Sequence, residues 1–426
     1  MTGRQRPTLS RPSRLLTGVV TAGALLMTGC GVLPGASGDS REPLTVVTWA
    51  PSGASGPDAA NMAGMTAMAQ TYARWVNGEG GLDGHELRVV TCDEEDSSVG
   101  AGNCARRAVK EKAVAVVGSY SRYGRAFMAP LEVAGIPYLG GYGASEEEFR
   151  SYISYPVTGG QSALLAGNAK QLARGCERVS LVRPDTLSGD GQSWLLSTGL
   201  TEAGRSAPLD IRAAETATSY DAAAGRALAG AGAQGGCVTA VLGERTATFF
   251  DSFRRLEPTG GAARISSVLG SIGQPLIDRT GGRESPFEGA YVTGWYPDSG
   301  DARWNRMRQV IRAHAFDDNR IDPDDTGVQT TWIAYTALKS IIESLDESVI
   351  TAGKVTKALN RGIRVGTGGL TPELRWRYED MIGSDSYPRI VNSKVTFQVV
   401  RDGKLVADKK GFVDVTKTLS DASATS

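Results

Sequence analysis

Histidine is nearly absent from this chain of 426 residues, which contains only His85 and His314. Zinc sites and Ser–His–Asp triads both draw on histidine, so a histidine metal cluster or a triad hydrolase has little material here. An excess of charge is also missing, because 46 Lys and Arg residues balance 46 Asp and Glu residues. Domains that bind nucleic acid carry a basic patch, so we expect no nucleic-acid partner.

Apolar runs long enough to span a bilayer are lacking at the amino terminus. The run from Leu15 to Met27 has about 13 residues, whereas a transmembrane helix needs about 20. Four arginines and no acidic residue precede it. This pattern is typical of a secretory signal peptide, which we predict at residues 1–29.

The end of this segment, Leu26 to Cys30, resembles a bacterial lipobox, although Met27 stands where leucine is usual. The resemblance implies that Cys30 is lipidated and becomes the first residue; ordinary cleavage beside an unmodified Cys30 is the alternative. A two-chain lipid anchor holds a protein stably on a membrane. We therefore expect residues 30–42, which are rich in glycine, to tether the chain to the outer, extracellular or periplasmic, face of the cell membrane.

Cysteine is scarce, with five residues in all. With Cys30 lipidated, four remain, an even number that allows three pairings in an oxidising compartment. Cys92 and Cys104 are the nearest pair along the chain. Cys176 and Cys237 each precede a predicted strand, so parallel neighbouring strands would bring them together. Because no CxxC spacing occurs, we predict two structural disulfides and no redox centre.

From Leu44 onward, short β-rich runs alternate with helical stretches, the pattern of parallel sheets covered on both faces. We predict an α/β fold of two lobes, each with a doubly wound parallel sheet, and a hairpin-like pair of strands at the end. The predicted strands are Leu44–Trp49, Glu86–Thr91, Ala113–Val117, Ile136–Leu139, Val179–Val182, Leu209–Ala213, Val238–Leu242, Ile265–Leu269, Gly289–Trp295, Lys394–Val400 and Lys404–Ala407. Helices are predicted near Ala59–Asn77, Asn103–Lys112, Ser162–Arg174, Ala302–Ala315, Asp325–Glu347 and Lys354–Asn360.

Loops at the carboxyl ends of the strands are the places to look for a ligand, since open parallel sheets bind ligands there. Two lobes that face each other across such loops form a cleft for a small molecule. In the first lobe the loops are Trp49–Asn61, Asp93–Asp96, Ser119–Tyr123 and Gly140–Ser145. In the second lobe they are Arg183–Asp190, Gly243–Thr246 and Gly270–Gln274.

The segment Trp75–Leu87 resembles the IN..GGI.G..L stretch of leucine-binding-type (branched-chain amino-acid) extracellular solute-binding proteins. Further matches lie in register across the chain: Ser55–Pro57, Asp93–Asp96, Val116–Ser119, Ala134–Pro137 and Ala334–Leu338. The resemblance implies a type I periplasmic-binding fold with three crossovers, whose hinge closes on a solute. It further implies a non-enzymatic monomer without a cofactor that passes its small-molecule ligand to the permease and ATPase subunits of an ABC importer.

The resemblance also divides the chain. Lobe I would comprise residues 43–157 and about 298–390, and lobe II residues 158–297 and about 391–415. The small, polar residues 416–426 are predicted to be a disordered tail.

Pocket positions follow from the same resemblance. Amino-acid-binding members hold the carboxylate after the third and fourth strands and face the ammonium with an acidic residue, whose position falls here on Ile272. Arg122 and Arg245 would then be available to an anionic ligand. The candidate ligand-binding residues are Asn61, Ser119, Ser121, Arg122, Tyr142, Ser188, Arg245 and Ser271.

Alternatives remain open at these positions. Arg122 and Arg245 also fit a solvated surface, Tyr142 fits rim packing, and the acidic runs Asp93–Asp96 and Asp322–Asp325 fit solvated turns, since they lack EF-hand spacing. A ligand sensor of the same fold is an alternative function. A secreted hydrolase using Ser119 or Ser121 is another, but neither histidine falls in a strand-end loop to act as its base.

Overall fold

The computed structural model describes residues 41–53, 60–232, 235–256 and 263–423. The predicted signal peptide, Cys30, nearly all of the tether and the Ser55–Pro57 motif lie outside these residues. Within them, no helix has the length and apolar character that crossing a bilayer requires.

The first sheet has five strands in the described part of the chain, and they all run parallel. In chain order they are β1 (Arg41–Ala50), β2 (His85–Asp93), β3 (Ala115–Val117), β4 (Tyr138–Leu139) and β5 (Ser154–Tyr155). Their order across the sheet is β2-β1-β3-β4-β5. The carboxyl half of β1 is buried residue after residue, as expected for a parallel strand covered on both faces.

The second sheet has seven strands among the described residues. They are β6 (Arg178–Pro184), β7 (Leu209–Ala213), β8 (Gly236–Ala240), β9 (Ala263–Val268), β10 (Tyr291–Gly294), β11 (Lys394–Arg401) and β12 (Lys404–Asp414). Their order is β12-β11-β10-β9-β8-β6-β7. Strands β6 to β10 are parallel, whereas β11 and β12 form the predicted antiparallel pair at one edge.

Helices cover both sheets. They are α1 (Ala63–Gly78), α2 (Ser98–Lys110), α3 (Gly124–Ala134), α4 (Gly160–Ala173), α5 (Leu187–Glu202), α6 (Asp221–Ala231), α7 (Thr246–Leu256), α8 (Gln274–Arg279), α9 (Asn305–His314), α10 (Thr326–Glu343), α11 (Ala352–Arg361) and α12 (Thr416–Ser423). Short 3-10 helices occupy Glu146–Phe149, Gly243–Arg245, Gly282–Glu284, Ala302–Trp304 and Tyr378–Asp380.

Helix α10 returns to the first sheet after the chain has built most of the second. Asp325 caps it, accepting hydrogen bonds from the N–H groups of Gly327 and Val328 at 2.9 and 3.0 Å. The Tyr335 hydroxyl lies 2.8 Å from Thr48 Oγ1 in β1. Thr331 Oγ1 of the same helix donates to the Gly118 carbonyl, directly after β3, at 3.1 Å, so the first half of α10 lies beside the carboxyl end of the first sheet.

Within the described residues the chain passes between the sheets three times: after β5, after β10 and before β11. Hydrogen bonds join the passages, from Trp295 Nε1 to the Gly160 carbonyl at 2.9 Å and from Asn392 Nδ2 to the Val157 carbonyl at 3.0 Å. The predicted fold class, two parallel-sheet lobes joined by three crossovers, is confirmed.

Both predicted disulfides are present. Cys92–Cys104 joins the end of β2 to α2. Cys176–Cys237 joins the starts of β6 and β8, which are parallel neighbours with Val179 opposite Cys237. Adjacent parallel strands bring residues at the same end together, although 61 positions separate these two cysteines in the sequence.

Two predictions about secondary structure were wrong. The stretch Thr416–Ser423, expected to be disordered, forms α12, because Leu419 and Ala422 lie one turn apart and are buried. Trp194 Nε1 on α5 donates to the Ala422 carbonyl at 2.7 Å. The fourth predicted strand shortens to two residues, and β5 was missed because a two-residue strand shows no periodicity.

Candidate ligand-binding site

The two sheets meet at an aromatic cluster formed by Tyr120, Tyr142 and Trp295. The ring of Tyr142, in the loop after β4, has its centroid 5.2 Å from that of Tyr120 and 5.3 Å from that of Trp295. Its ring is perpendicular to that of Trp295, the edge-to-face geometry that aromatic pairs favour. Since Trp295 directly follows β10, the cluster joins strand-end loops of both lobes.

Gly270, after β9, approaches the same cluster from the second lobe. A Cβ at this position would lie 3.1 Å from the Tyr142 hydroxyl oxygen, and the backbone has a φ of +90°. Both the space and the backbone conformation therefore favour glycine. Tyr142 thus lies against residues of both lobes, and its role in ligand binding remains a prediction.

Charge at the cluster comes from both lobes. Burial raises the pKa of Tyr142 and of Tyr120, so both hydroxyls are neutral donors at physiological pH. For Tyr120, the carboxylates of Asp96 and Glu244 act in the same direction. Glu244, in the loop after β8, also contributes to the raised pKa of Asp325, after burial as the main cause. A carboxylate of the second lobe therefore lies close enough to Tyr120 and Asp325 to raise their pKa values.

Ser119 makes hydrogen bonds to the backbone N–H groups of Trp49 and Tyr142. Its side chain is fully buried, and its Oγ accepts a hydrogen bond from the Trp49 N–H at 3.1 Å. Its carbonyl accepts from the N–H of Tyr142 at 2.9 Å and from the Tyr138 hydroxyl at 3.2 Å. Ser119 therefore fixes the loop that carries Tyr142.

Ser121 is also fully buried, and its hydroxyl bonds to Glu94. Ser121 Oγ donates to Glu94 Oε2 at 2.9 Å and accepts from the N–H of Tyr123 at 3.1 Å. The second carboxylate oxygen, Oε1, has no partner in the described part of the chain. Burial raises the pKa of Glu94 to about 8, so the carboxyl group is mainly protonated at neutral pH.

Glu94 corrects the interpretation of Asp93–Asp96 as a solvated turn, because its side chain is fully buried. Trp49, opposite Cys92 on the neighbouring strand, likewise has a buried Nε1 without a partner among the described residues. Two adjacent strand ends thus each carry an unsatisfied polar atom. The signal in the sequence for Glu94 was an acidic residue close to the end of a predicted strand.

Arg122 pairs with Asp96 across the loops after β3 and β2. Its Nε donates to Asp96 Oδ1 at 3.2 Å, and its terminal NH2 group contacts the other oxygen. This is the bidentate geometry that arginine makes with carboxylates. The charge of Arg122 is therefore matched by a local carboxylate, and its role as a ligand contact remains a prediction.

The other predicted positions are spread over several elements. Asn61 is exposed just before α1, and Ser188 lies in the first turn of α5. Arg245 ends the 3-10 helix after β8, and Ser271 lies in the loop after β9; both are partly buried. Ile272 is fully buried, so this position supplies packing and no charge.

Comparison with known proteins gives one family and one fold. A family model described as "Periplasmic binding protein" matches residues 51–380. No curated protein is similar enough in sequence to match the chain.

Three solved structures illustrate the likeness in fold. A substrate-binding periplasmic protein from Ralstonia solanacearum is 18% identical over 86% of this chain and 100% of its own, with a TM-score of 0.68. A branched chain amino acid ABC transporter from Thermus thermophilus with bound valine is 16% identical over 89% and 98%, with a TM-score of 0.68. A solute binding protein from R. palustris in complex with 4-hydroxybenzoate is 16% identical over 88% and 97%, also with a TM-score of 0.68.

Proposed function

The chain belongs to the periplasmic binding protein family, whose members bind solutes and are not enzymes, and we propose that it captures a small amino-acid-like or anionic solute between its lobes and delivers it to an ABC importer. The observation that carries this proposal is the contact of Tyr142 with Trp295, because it brings strand-end loops of both sheets to one junction. A ligand bound there touches both lobes and stabilises their closed arrangement.

The chemistry at the junction supports a small solute with a carboxylate. Neutral tyrosine hydroxyls and Arg245 offer donors, and Ile272 supplies no negative charge. Valine and 4-hydroxybenzoate, the ligands in two proteins of similar fold, are both small carboxylates. Tyr142 limits the size of the solute, since its ring occupies the space between Tyr120 and Trp295.

Location is the second part of the proposal. We place the chain on the outer face of the cell membrane through lipid on Cys30. The arginine-rich start, the lipobox-like sequence and two disulfides support an exported chain, because disulfides persist in oxidising compartments. Mass spectrometry of the amino-terminal peptide should find a lipid-modified Cys30. The change Cys30→Ala should release the protein from the membrane fraction.

Thermal unfolding with a panel of small carboxylates and amino acids tests solute binding, since a ligand of the folded state raises Tm. With a hit at saturation, small-angle scattering should give a smaller radius of gyration than without ligand. Tyr142→Ala should change which solutes raise Tm, whereas Tyr152→Ala, an exposed tyrosine of the first lobe, should not. Identical scattering profiles at saturation would contradict closure. Uptake of the labelled solute by cells that lack this chain then tests import.

A further inference from the structure

His85 is one of the two histidines of the chain, and its imidazole ring is fully buried at the start of β2. Its Nδ1 lies 2.7 Å from the carbonyl oxygen of Glu42 in β1. Its Nε2 lies 2.9 Å from the carbonyl oxygen of Glu347, in the loop after α10. The ring therefore joins two strands of the first sheet to the loop after α10.

Both hydrogen-bond partners of the ring are acceptors. A carbonyl oxygen has no hydrogen to donate, so each ring nitrogen must carry a hydrogen to make its bond. A neutral histidine has a hydrogen on one ring nitrogen only, whereas the imidazolium ion has a hydrogen on both. Hydrogen bonds donated by a charged group are also stronger than those of neutral groups. The geometry at His85 therefore fits the doubly protonated ring.

Carboxylates outnumber cations on the segments around this ring. The charged residues there are Arg41 and Glu42 on β1, Glu79 after α1, Asp83 and Glu86 beside His85, Asp346 and Glu347 after α10, Arg306 on α9, and Lys354 on α11. Arg41 pairs with Asp83 and, at 3.4 Å, with Asp346. Glu79 pairs with Arg306 at 3.3 Å, and Lys354 pairs with Glu347. Negative charge in excess favours the charged form of a histidine over the neutral one.

The ring bonds to β1 at a place where the pairing of the strands is irregular. The register between β1 and β2 shifts between Arg41 and Leu44, and Glu42 lies within this interval. The predicted tether, residues 30–42, ends at Glu42. Arg41 adds a second link, because its guanidinium also donates to the Glu347 carbonyl, at 3.3 Å. His85 thus holds the residue at which the predicted tether joins the fold.

We propose that His85 is a pH-sensitive clasp, a doubly protonated ring that holds the start of β1 against the loop after α10. Loss of one proton leaves one ring nitrogen with a lone pair that points at a carbonyl oxygen, and the two repel each other. Whichever nitrogen keeps its hydrogen, the link from Glu42 through the ring to Glu347 is then broken. The start of β1 therefore opens more often as the pH rises. The clasp depends neither on the proposed solute nor on the lipid anchor.

NMR of the exported chain, labelled with nitrogen-15 at histidine only and purified without a histidine tag, tests the protonation of the ring. Only two residues then give signals, His85 and His314. At pH 7, His85 should show a hydrogen on both ring nitrogens, and both hydrogens should exchange slowly with water because the ring is buried. His314, at the end of α9, is the internal reference. A hydrogen on only one nitrogen of His85 at pH 7 would overturn the proposal.

Hydrogen exchange measured by mass spectrometry tests the opening of the clasp. After correction for the intrinsic base-catalysed rate, protection of residues 41–44 and 346–348 should fall at least about tenfold between about pH 6 and pH 9, the effect of one hydrogen bond to a charged group. His85→Gln, which carries a donor that does not titrate, should remove this pH dependence.

Two controls separate the clasp from other titrating groups. His314→Gln should keep the pH dependence of the unaltered protein, and so should Glu94→Gln, which lies beyond the other end of β2. The same pH dependence in His85→Gln as in the unaltered protein would overturn the clasp and leave the proposed function intact. The NMR measurement needs no variant, so it decides the matter if His85→Gln does not fold.

Discussion

The hydroxyl group of Tyr142 lies 3.0 Å from Thr326 Oγ1. This hydrogen bond ties the loop after β4 to the first residue of α10, which lies 184 positions further along the chain. The same ring contacts Trp295 after β10. One side chain therefore links the loop of the first sheet, the helix that covers it and the passage to the second sheet.

Thr326→Val should lower the free energy of unfolding by about 1–3 kcal/mol, because it leaves a buried tyrosine hydroxyl without a partner. Tyr142→Phe removes the other half of the pair. The double variant should cost less than the sum of the two changes, since both polar groups are then gone. Denaturant unfolding of all four proteins measures this coupling, and strictly additive losses would show that the bond contributes nothing.

Stability should fall with rising pH because of Glu94. Burial raises its pKa from 4.5 to about 8, so between these values the folded chain keeps a proton that the unfolded chain releases. Stability conferred by that proton is complete below about pH 4.5 and declines toward pH 8, by at most about 1.4 kcal/mol per pH unit. Glu148, with its pKa of about 7, adds to the decline at lower pH.

Glu94→Gln should therefore flatten the decline, most clearly between pH 7 and 8, above the pKa of Glu148. Urea unfolding at several pH values measures the free energy of unfolding and therefore this slope. Glu86→Gln, at an exposed position of β2, the strand that Glu94 follows, is the matched control. An unchanged slope in Glu94→Gln would mean that this carboxyl group is not the one that holds the proton.

Gly160→Ala tests the packing at the first passage. Its φ is +60°, and an added Cβ would lie 2.3 Å from Cζ of Phe149. Gly135 has a similar φ of +64°, but nothing lies within 4 Å of its Cβ position. Gly135→Ala should thus lower the free energy of unfolding only by the backbone penalty of about 1–2 kcal/mol. Gly160→Ala should lower it by about 1–3 kcal/mol more, because the added methyl group overpacks the site against Phe149. Phe149→Leu in the same chain should restore part of that loss.

The fold was accessible from the sequence because strand periodicity and the alternation with helices are local signals. The starts of β6 and β8 were placed well enough to pair Cys176 with Cys237. For the site, the sequence predicted only the set of strand-end loops and not the contacts between their side chains. Whether Arg122 meets a ligand or Asp96 depends on how two loops fold against each other, and no local pattern of residues encodes that contact.

Removing the two disulfides should have unequal effects. The loop-closure model gives about 3 kcal/mol for Cys92–Cys104, which are 12 positions apart, and about 4 kcal/mol for Cys176–Cys237, which are 61 apart. The double change Cys176→Ala and Cys237→Ala should therefore lower the free energy of unfolding more than the corresponding change at Cys92 and Cys104. Equal losses in denaturant unfolding would show that native-state packing, and not loop length, sets the contribution.

Glu244 and Arg245 can report the charge of the solute in the cleft, because they are adjacent and opposite in charge on the loop after β8. For an anionic solute, Arg245→Gln should weaken binding by about 1.5–3 kcal/mol, the range for a hydrogen bond to a charged group. Glu244→Gln should strengthen it by about 0.2–1 kcal/mol, since the exposed carboxylate repels through solvent. Calorimetric titration with the solute found by thermal screening measures both. A zwitterion that places its ammonium toward Glu244 reverses the sign at that position alone, so weaker binding in both variants identifies an amino-acid-like solute. Binding that neither change affects would remove this loop from the site.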